Sequence, residues 1–200
     1  MDILLTHCYF LEDDEKEQKI MRPYPPLGIL YISGYLEDQG IENEVFDTTF
    51  SSKAAYRTYL LTHRPRVIGI YVNLMTKLNV LEAIRFVKEH LPDTVIILGG
   101  PEVRYSAENF LRYGADYIVI GEGEETMSEL VKCIVMEAVL EDGAGERTIE
   151  TVVDIPGIAF LKQGNFVQTA ERQKIKDLNE LSIPNRKKIN MRQYLDLWKK

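Results

Sequence analysis

The sequence is poor in cysteine, since its 200 residues include only Cys8 and Cys133. The two are far apart and match no metal-cluster spacing, which predicts reduced thiols in an intracellular protein and no disulfide framework. No apolar run approaches the roughly 20 residues that a membrane-spanning helix needs. The first residues, MDILLTHC, lack the basic start and long apolar core of a signal peptide. These absences predict a cytoplasmic protein without a membrane span.

Motifs that bind phosphate or carry out hydrolysis are missing as well. The turn after the first predicted strand has no G-x-G-x-x-G dinucleotide fingerprint, and no G-x-x-x-x-G-K-[ST] phosphate loop occurs. The G-x-S-x-G nucleophile elbow and the H-E-x-x-H zinc motif are also absent. A phosphoacceptor receiver domain would need an aspartate where Tyr71 stands. The sequence therefore predicts no nucleotide site, and no catalytic or metal site made of side chains.

Acidic residues outnumber basic ones by 31 to 24, which gives a formal net charge of −7. This excess argues against a nucleic acid or an anionic membrane as partner, because neither would be attracted overall.

Apolar residues make up 45% of the chain, so we expect a full hydrophobic core. The length allows one large domain, or one ordinary domain with an appendage.

Short apolar runs, each bounded by turn residues, are typical of strands that are buried on both faces. Five such runs are Asp2–Thr6, Glu44–Asp47, Val67–Val72, Val95–Leu98 and Tyr117–Ile120. Helical patterns alternate with them and begin near residues 26, 52, 77, 105 and 124. The alternation predicts an α/β protein with a doubly wound, five-stranded parallel sheet in the order 2-1-3-4-5.

Three further segments do not fit the alternation. The acidic segment 12–19 has no apolar period and is predicted to be a mobile surface loop. The glycines of 142–145 predict a linker between a domain of residues 1–142 and an appendage of residues 143–200. In that appendage, runs at 157–161 and 166–169 flank Lys162-Gln163-Gly164-Asn165, which predicts a β-hairpin added at a sheet edge. The basic remainder is predicted to be a connector that wraps a surface.

Two neighbouring predicted strands end in glycines, at Gly99-Gly100 and at Gly121-Glu122-Gly123. Ligands of open parallel sheets bind outside the carboxyl ends of the strands, and a glycine there lets a ligand approach the backbone. These glycines indicate either the floor of a ligand site or two tight turns without a ligand. Glu122 and Glu124 could act as acid and base. Alternatively, Glu124 could lie in the first turn of a helix, where the positive end of the helix dipole stabilises a carboxylate. With few titratable groups, the cleft favours a bulky, largely uncharged ligand.

Several segments together resemble a known family. They are Pro25-Pro26-Leu27-Gly28 with the helix to Gly40, Leu98–Pro101, Gly114–Val119 and Gly121–Glu124. Their order and spacing are similar to the N-terminal cobalamin-binding domain of B12-dependent radical SAM enzymes. Ile155–Ala159, the hairpin and Asp177–Arg186 resemble the connector that precedes the radical SAM barrel in these enzymes.

The resemblance implies a flavodoxin-like (Rossmann-like) domain that holds cobalamin, with the benzimidazole tail detached from cobalt and inserted beside the sheet. A downstream barrel with a [4Fe–4S] cluster and S-adenosylmethionine would then carry out methyl transfer or a related radical reaction on a small-molecule substrate. The cofactor-binding residues implied in this way are Leu27, Gly28, Tyr71, Asn73, Leu74, Met75, Thr76, Gly99, Gly100, Pro101, Glu102, Gly121, Glu122 and Gly123.

The chain departs from the family in three ways. The C-x-x-x-C-x-x-C cluster motif does not occur, so we expect the radical SAM domain to lie beyond residue 200 and this chain to be inactive alone. Leu5 and Phe10 replace the outer residues of the D-x-H-x-x-G motif around His7, which argues against a histidine ligand to cobalt. Tyr71 is bulky where a small hydroxyl residue is common.

An alternative to the cobalamin-binding function is a Rossmann-like domain that has lost cobalamin binding and acts as a structural, docking or substrate-covering module.

Overall fold

A seven-stranded sheet forms the centre of the computed structural model, which describes residues 1–20, 22–139, 152–177, 179 and 181–199. The strand order is β2-β1-β3-β4-β5-β6-β7; the first five strands are parallel, and the last two are antiparallel. The strands are β1 Ile3–Thr6, β2 Asn43–Val45, β3 Val67–Tyr71, β4 Val95–Gly99, β5 Tyr117–Val119, β6 Ile158–Lys162 and β7 Asn165–Gln168. The predicted order of the parallel sheet and the added edge hairpin are confirmed.

Helices cover both faces of the sheet. They are α1 Glu15–Ile20, α2 Leu27–Asp38, α3 Lys53–His63, α4 Lys77–His90, α5 Val103–Tyr113, α6 Glu124–Val139 and α7 Met191–Trp198. Alternate strand residues point to opposite faces, so Leu4 packs with α3, α4 and α5, whereas Ile3 and Leu5 pack with α2 and α6. Both faces are apolar for this reason, and the strands consist of continuous apolar runs.

The prediction of a loop at 12–19 is wrong, because this segment contains a 3-10 turn, Leu11–Asp13, and the short helix α1. The Asp14 carboxylate accepts hydrogen bonds from the backbone N–H groups of Lys16 and Glu17, at 3.2 and 3.0 Å. None of the six residues of α1, all of which the structure describes, is buried. A helix that packs no apolar face leaves no periodic pattern in the sequence.

The carboxyl-terminal connector lies along α2. A side chain at Gly34 would place its Cβ 2.4 Å from the Ile183 carbonyl oxygen, so only glycine permits this approach of the two backbones. The Asn185 backbone N–H donates to the Leu30 carbonyl at 2.9 Å, and its side-chain amide donates to Glu37 at 2.7 Å. The predicted linker at 142–145, and the domain boundary within it, lie outside the described residues.

The last helix reaches back to the loop that precedes α2. Trp198 Nε1 donates to the Pro23 carbonyl at 3.0 Å, and its ring packs edge-on against Tyr24 with ring centroids 5.0 Å apart.

No helix within the described ranges has both the length and the apolar character to cross a membrane.

Candidate functional site

A cavity of about 230 Å³ opens beside the sheet, at the carboxyl ends of its parallel strands. We call it the sheet cavity. It lies between the amino-terminal halves of α2 and α6 and is lined by Leu5, Gly28, Ile29, Ile32, Gly69, Ile70, Tyr71, Gly99, Gly100, Val119, Gly121, Glu122, Gly123, Glu124 and Met127. The two glycine-rich turns that follow β4 and β5 therefore meet at a single cavity, as expected for neighbouring parallel strands.

The glycines of these two turns differ in what a side chain at each position would contact. At Gly100, with φ +105°, a Cβ would lie 2.6 Å from the Val72 carbonyl oxygen, so the turn itself requires glycine. At Gly121, with φ +96°, a Cβ would meet nothing within 4 Å. At Gly99 the nearest atom is Val119 Cβ at 3.9 Å. Gly99 and Gly121 therefore line the cavity at positions with room for a side chain that they do not carry, whereas Gly100 shapes the backbone.

Tyr71 stands between the sheet cavity and a second cavity. Its ring lies 3.0 Å from the position of a Cβ on Gly100 and 3.8 Å from that of a Cβ on Gly28. The second cavity, which we call the loop cavity, has a volume of about 300 Å³ and is lined by His7, Tyr9, Tyr24, Pro25, Pro26, Leu27, Gly28, Ile29, Thr49 and Tyr71. Gly28, Ile29 and Tyr71 line both cavities, so the Tyr71 ring forms a partition between them.

The structure brings about half of the predicted site residues together. Those that line the sheet cavity are Gly28, Tyr71, Gly99, Gly100, Gly121, Glu122 and Gly123, and Leu27 lines the loop cavity. Asn73, Leu74, Met75, Thr76, Pro101 and Glu102 line neither cavity.

The residues outside the cavities have other contacts. Thr76 is buried, and it exchanges hydrogen bonds with Asn73: the Thr76 N–H donates to the Asn73 side chain at 2.9 Å, and the Asn73 N–H donates to the Thr76 hydroxyl at 3.1 Å. The Glu102 carboxylate accepts from the Lys77 ammonium at 2.6 Å. Leu74 and Met75 are 78% and 67% exposed, on the outer surface of the same edge.

The prediction missed the apolar wall of the sheet cavity, which Leu5, Ile29, Ile32, Val119 and Met127 form. Gly28, Ile29 and Ile32 share one side of α2 at helical spacing, and that spacing was visible in the sequence. An inward apolar side chain has the same pattern whether it contacts another side chain or borders a void. The pattern therefore locates the face of the helix and not the cavity.

His7 follows β1 and is held by a buried hydrogen-bond network. Its Nδ1 accepts from the Tyr9 N–H at 3.2 Å, which leaves Nε2–H to donate to Asp47 Oδ1 at 3.0 Å. The Tyr194 hydroxyl donates to the other oxygen of Asp47 at 2.7 Å. Since both ring nitrogens have partners and His7 is 5% exposed, the residue joins two loops to α7 and offers no free nitrogen to a metal.

This network lowers the pKa of the Asp47 carboxyl. Burial alone would raise that pKa, but hydrogen bonds from His7, Tyr194 and the Thr49 N–H outweigh burial and hold it below its ordinary value. Asp47 is therefore a carboxylate at neutral pH. Among the described residues, no group of three His, Cys, Asp or Glu side chains is placed to hold a metal ion.

A segment after the hairpin, which we call the strap (residues 170–177), ties down the loop beside the sheet cavity. Its Ile175 N–H donates to the Glu122 carboxylate at 2.6 Å. The Arg172 guanidinium donates to Thr126 Oγ1 and to Glu125, each at 2.7 Å, and also binds Glu129. The Glu122 carboxylate is thus occupied by the strap, and the first turns of α6 are fixed from outside.

The lining of the sheet cavity has little charge and no described lysine or arginine. An open parallel sheet with helices on both faces is the flavodoxin-like architecture, and a cavity at its carboxyl edge lies where such folds bind ligands. The family model of the B12 binding domain matches residues 19–131, more than half of the chain. The chain belongs to this family, as the resemblance in the sequence implied, and the expected cofactor class, cobalamin, agrees with it.

Named relatives are larger proteins. The chain is 29% identical, over 78% of its length, to the anaerobic magnesium-protoporphyrin IX monomethyl ester cyclase of Synechocystis, of which it covers 30%. It is 24% identical, over 85% of its length, to an uncharacterized methyltransferase of Pyrococcus horikoshii, of which it covers 35%. It is 24% identical, over 64% of its length, to the hopanoid C-3 methylase of Methylococcus capsulatus, of which it covers 25%. The chain therefore spans about a quarter to a third of these relatives.

Proposed function

We propose that this chain binds cobalamin with its benzimidazole tail detached from cobalt and inserted into the sheet cavity. The observation that carries this proposal is an apolar cavity of about 230 Å³ between α2 and α6, whose lining includes Gly99 and Gly121, two positions without a side chain and with room for one. All residues that line this cavity, except Leu5, fall within the match to the B12 binding domain. When bound, cobalamin supplies a cobalt centre for the reaction, and the protein supplies position and surroundings.

The corrin ring would lie over the carboxyl edge of the sheet. Large hydrophobic side chains are exposed around this edge: Tyr24, Leu27, Leu74, Met75, Leu78 and Tyr105. Exposed apolar residues that cluster in this way mark binding surfaces rather than ordinary protein surface. Leu74 and Met75 therefore belong to the proposed site, although they line neither cavity, and the Asn73–Thr76 hydrogen bonds hold the turn that presents them.

We further propose that His7 does not coordinate cobalt. Both ring nitrogens of His7 have partners, and separating Nε2 from Asp47 would leave a buried carboxylate with one hydrogen bond fewer. In the bound cob(II)alamin, electron paramagnetic resonance should then show no hyperfine splitting from an axial nitrogen. Splitting that disappears in His7→Ala would show that His7 is a ligand and would refute this part of the proposal.

For the whole protein, we propose that the domain works with a radical SAM domain that holds a [4Fe–4S] cluster and S-adenosylmethionine. The support is the connector resemblance and the size of the relatives, of which two have names that state a methylase or methyltransferase and another a cyclase. The reaction proposed is methyl transfer or a related radical reaction on a small molecule. Anaerobic reconstitution of the full-length protein, followed by assay of S-adenosylmethionine cleavage, tests this part.

The binding proposal is tested by mixing the purified chain with hydroxocobalamin, desalting, and recording the corrin absorption. We expect about one corrin per chain, with the spectrum of the form whose tail is detached from cobalt. The alternative function, a structural or docking module without cofactor, predicts no retained corrin. Failure of retention both in this chain and in the full-length protein would decide in favour of the alternative.

A further inference from the structure

We infer that the sheet cavity selects corrinoids whose tail is an apolar, methylated benzimidazole over corrinoids whose tail is a purine such as adenine. The inference rests on the proposed function and adds to it the chemical class of the ligand. The two ligands share the corrin ring and differ in the base that would enter the cavity, so the inner wall of the cavity decides between them.

The inner wall offers almost no hydrogen-bond partner to a base. Its side chains are those of Leu5, Ile29, Ile32, Val119 and Met127, and four of these residues are between 1% and 6% exposed, with Ile32 half-buried. All five belong to the apolar core on the α2 and α6 side of the sheet. A flat apolar ring with methyl groups can replace water here without loss of hydrogen bonds.

Polar side chains of the described lining are Tyr71, Glu122 and Glu124. Glu122 is exposed, and its carboxylate already accepts the Ile175 N–H at 2.6 Å. Glu124 is half-exposed in the first turn of α6, and the Tyr71 ring borders the loop cavity. Glu122 and Glu124 therefore lie on the open side of the cavity, and half-buried Tyr71 is the polar residue of the described lining that packs against the apolar core.

Several backbone groups at this edge also have partners. The Gly99 carbonyl accepts the Val72 N–H at 2.7 Å, the Val72 carbonyl accepts the Glu102 N–H at 3.3 Å, and the Ile120 N–H donates to the Gly157 carbonyl at 2.8 Å. An adenine base carries an amino group and ring nitrogens that would lose water at the inner wall and gain few partners. Unsatisfied polar groups of this kind weaken binding strongly, whereas methyl groups strengthen it.

The test compares the dissociation constants of cobalamin and of the corrinoid with an adenine tail, measured on the same protein by corrin absorption. We expect cobalamin to bind at least tenfold more tightly, a difference of about 1.4 kcal/mol at 25 °C. Equal affinities, or tighter binding of the purine form, would overturn the inference and leave the proposed function intact. If neither corrinoid binds, the proposed function itself fails, and the inference fails with it.

A pair of matched variants locates the selectivity. Val119→Thr keeps the shape of the side chain and adds a hydroxyl to the inner wall, so we expect the tenfold ratio to shrink at least threefold. Val87→Thr makes the same change at a fully buried position in α4, on the opposite side of the sheet, and should leave the ratio unchanged. The ratio is insensitive to a loss of folded protein, because both ligands are measured on one sample. A ratio unchanged by Val119→Thr would refute the assignment of selectivity to this wall.

Discussion

The two faces of the sheet are built from the same strands but differ in packing: among the described residues, a cavity of about 230 Å³ opens on one face and a small one of about 10 Å³ on the other. On the side of α3, α4 and α5, large side chains such as Tyr56, Leu60 and Phe110 fill the space above the strands. On the side of α2 and α6, the strand ends carry Gly99 and Gly121, and the sheet cavity lies above them. A cavity thus opens in an otherwise ordinary core at the edge where two neighbouring strands are followed by residues without side chains.

The strongest test of this comparison truncates one side chain on each face. We expect Phe110→Ala to lower the free energy of unfolding by about 3–5 kcal/mol, because it leaves a void in a packed core. Ile32→Ala should cost less than about 1.5 kcal/mol, since Ile32 is half-buried and already borders a cavity. Urea unfolding followed by circular dichroism measures both. Equal losses would mean that the two faces are packed alike.

Filling the cavity should abolish binding while leaving the fold in place. Gly121→Leu places a side chain in the open space, and we expect cobalamin affinity to fall at least about 100-fold, or 2.7 kcal/mol. Gly164→Leu is the matched control, since Gly164 in the β6–β7 turn also has positive φ and no atom within 4 Å of a Cβ. The backbone strain of Gly164→Leu should be similar to that of Gly121→Leu, but we expect Gly164→Leu to bind cobalamin as tightly as the unsubstituted protein. Retention of cobalamin by Gly121→Leu would contradict the placement of the tail.

The strap contacts the start of α6 beside the sheet cavity, so we expect it to slow the dissociation of cobalamin. Arg172→Gln removes the ion pairs to Glu125 and Glu129, and we expect cobalamin to dissociate about tenfold faster because the first turns of α6 loosen. Arg112→Gln breaks the exposed ion pair with Glu108 on α5, outside the strap, and should leave the rate unchanged. Stopped-flow displacement of bound corrinoid measures these rates, and identical rates in the two variants would exclude a role for the strap.

The smallest expected effect concerns acid stability. Because the pKa of Asp47 is lower in the folded protein than its ordinary value of 3.8, the carboxylate stabilises the fold at pH values above about 3.8. This contribution is lost as the pH falls through the folded pKa. Tyr194→Phe removes one hydrogen bond, so we expect a loss of about 1 kcal/mol at pH 6 that disappears below the folded pKa. Unfolding free energies measured between pH 6 and pH 2 check this, and a loss independent of pH would contradict it.

The sequence predicted the sheet well because its strands are buried on both faces and therefore consist of unbroken apolar residues. It did not predict α1, whose six residues pack no apolar face. The glycine turns after β4 and β5 were found from their position at strand ends, and they do line the cavity. Asn73 and Thr76 were placed at the same edge correctly, but each side chain accepts a hydrogen bond from the other residue's backbone N–H and lines neither cavity. Sequence spacing does not reveal such a local pairing.

The position of Trp198 has an optical consequence. It is the single tryptophan of the chain, and its ring rests on Tyr24, which lines the loop cavity beside the Tyr71 partition. A corrin absorbs in the near ultraviolet, where tryptophan emits, so a corrinoid bound at this edge would accept its excitation energy. If the corrinoid binds where we propose, quenching of Trp198 fluorescence in this chain would report occupancy of the site in real time, without a label.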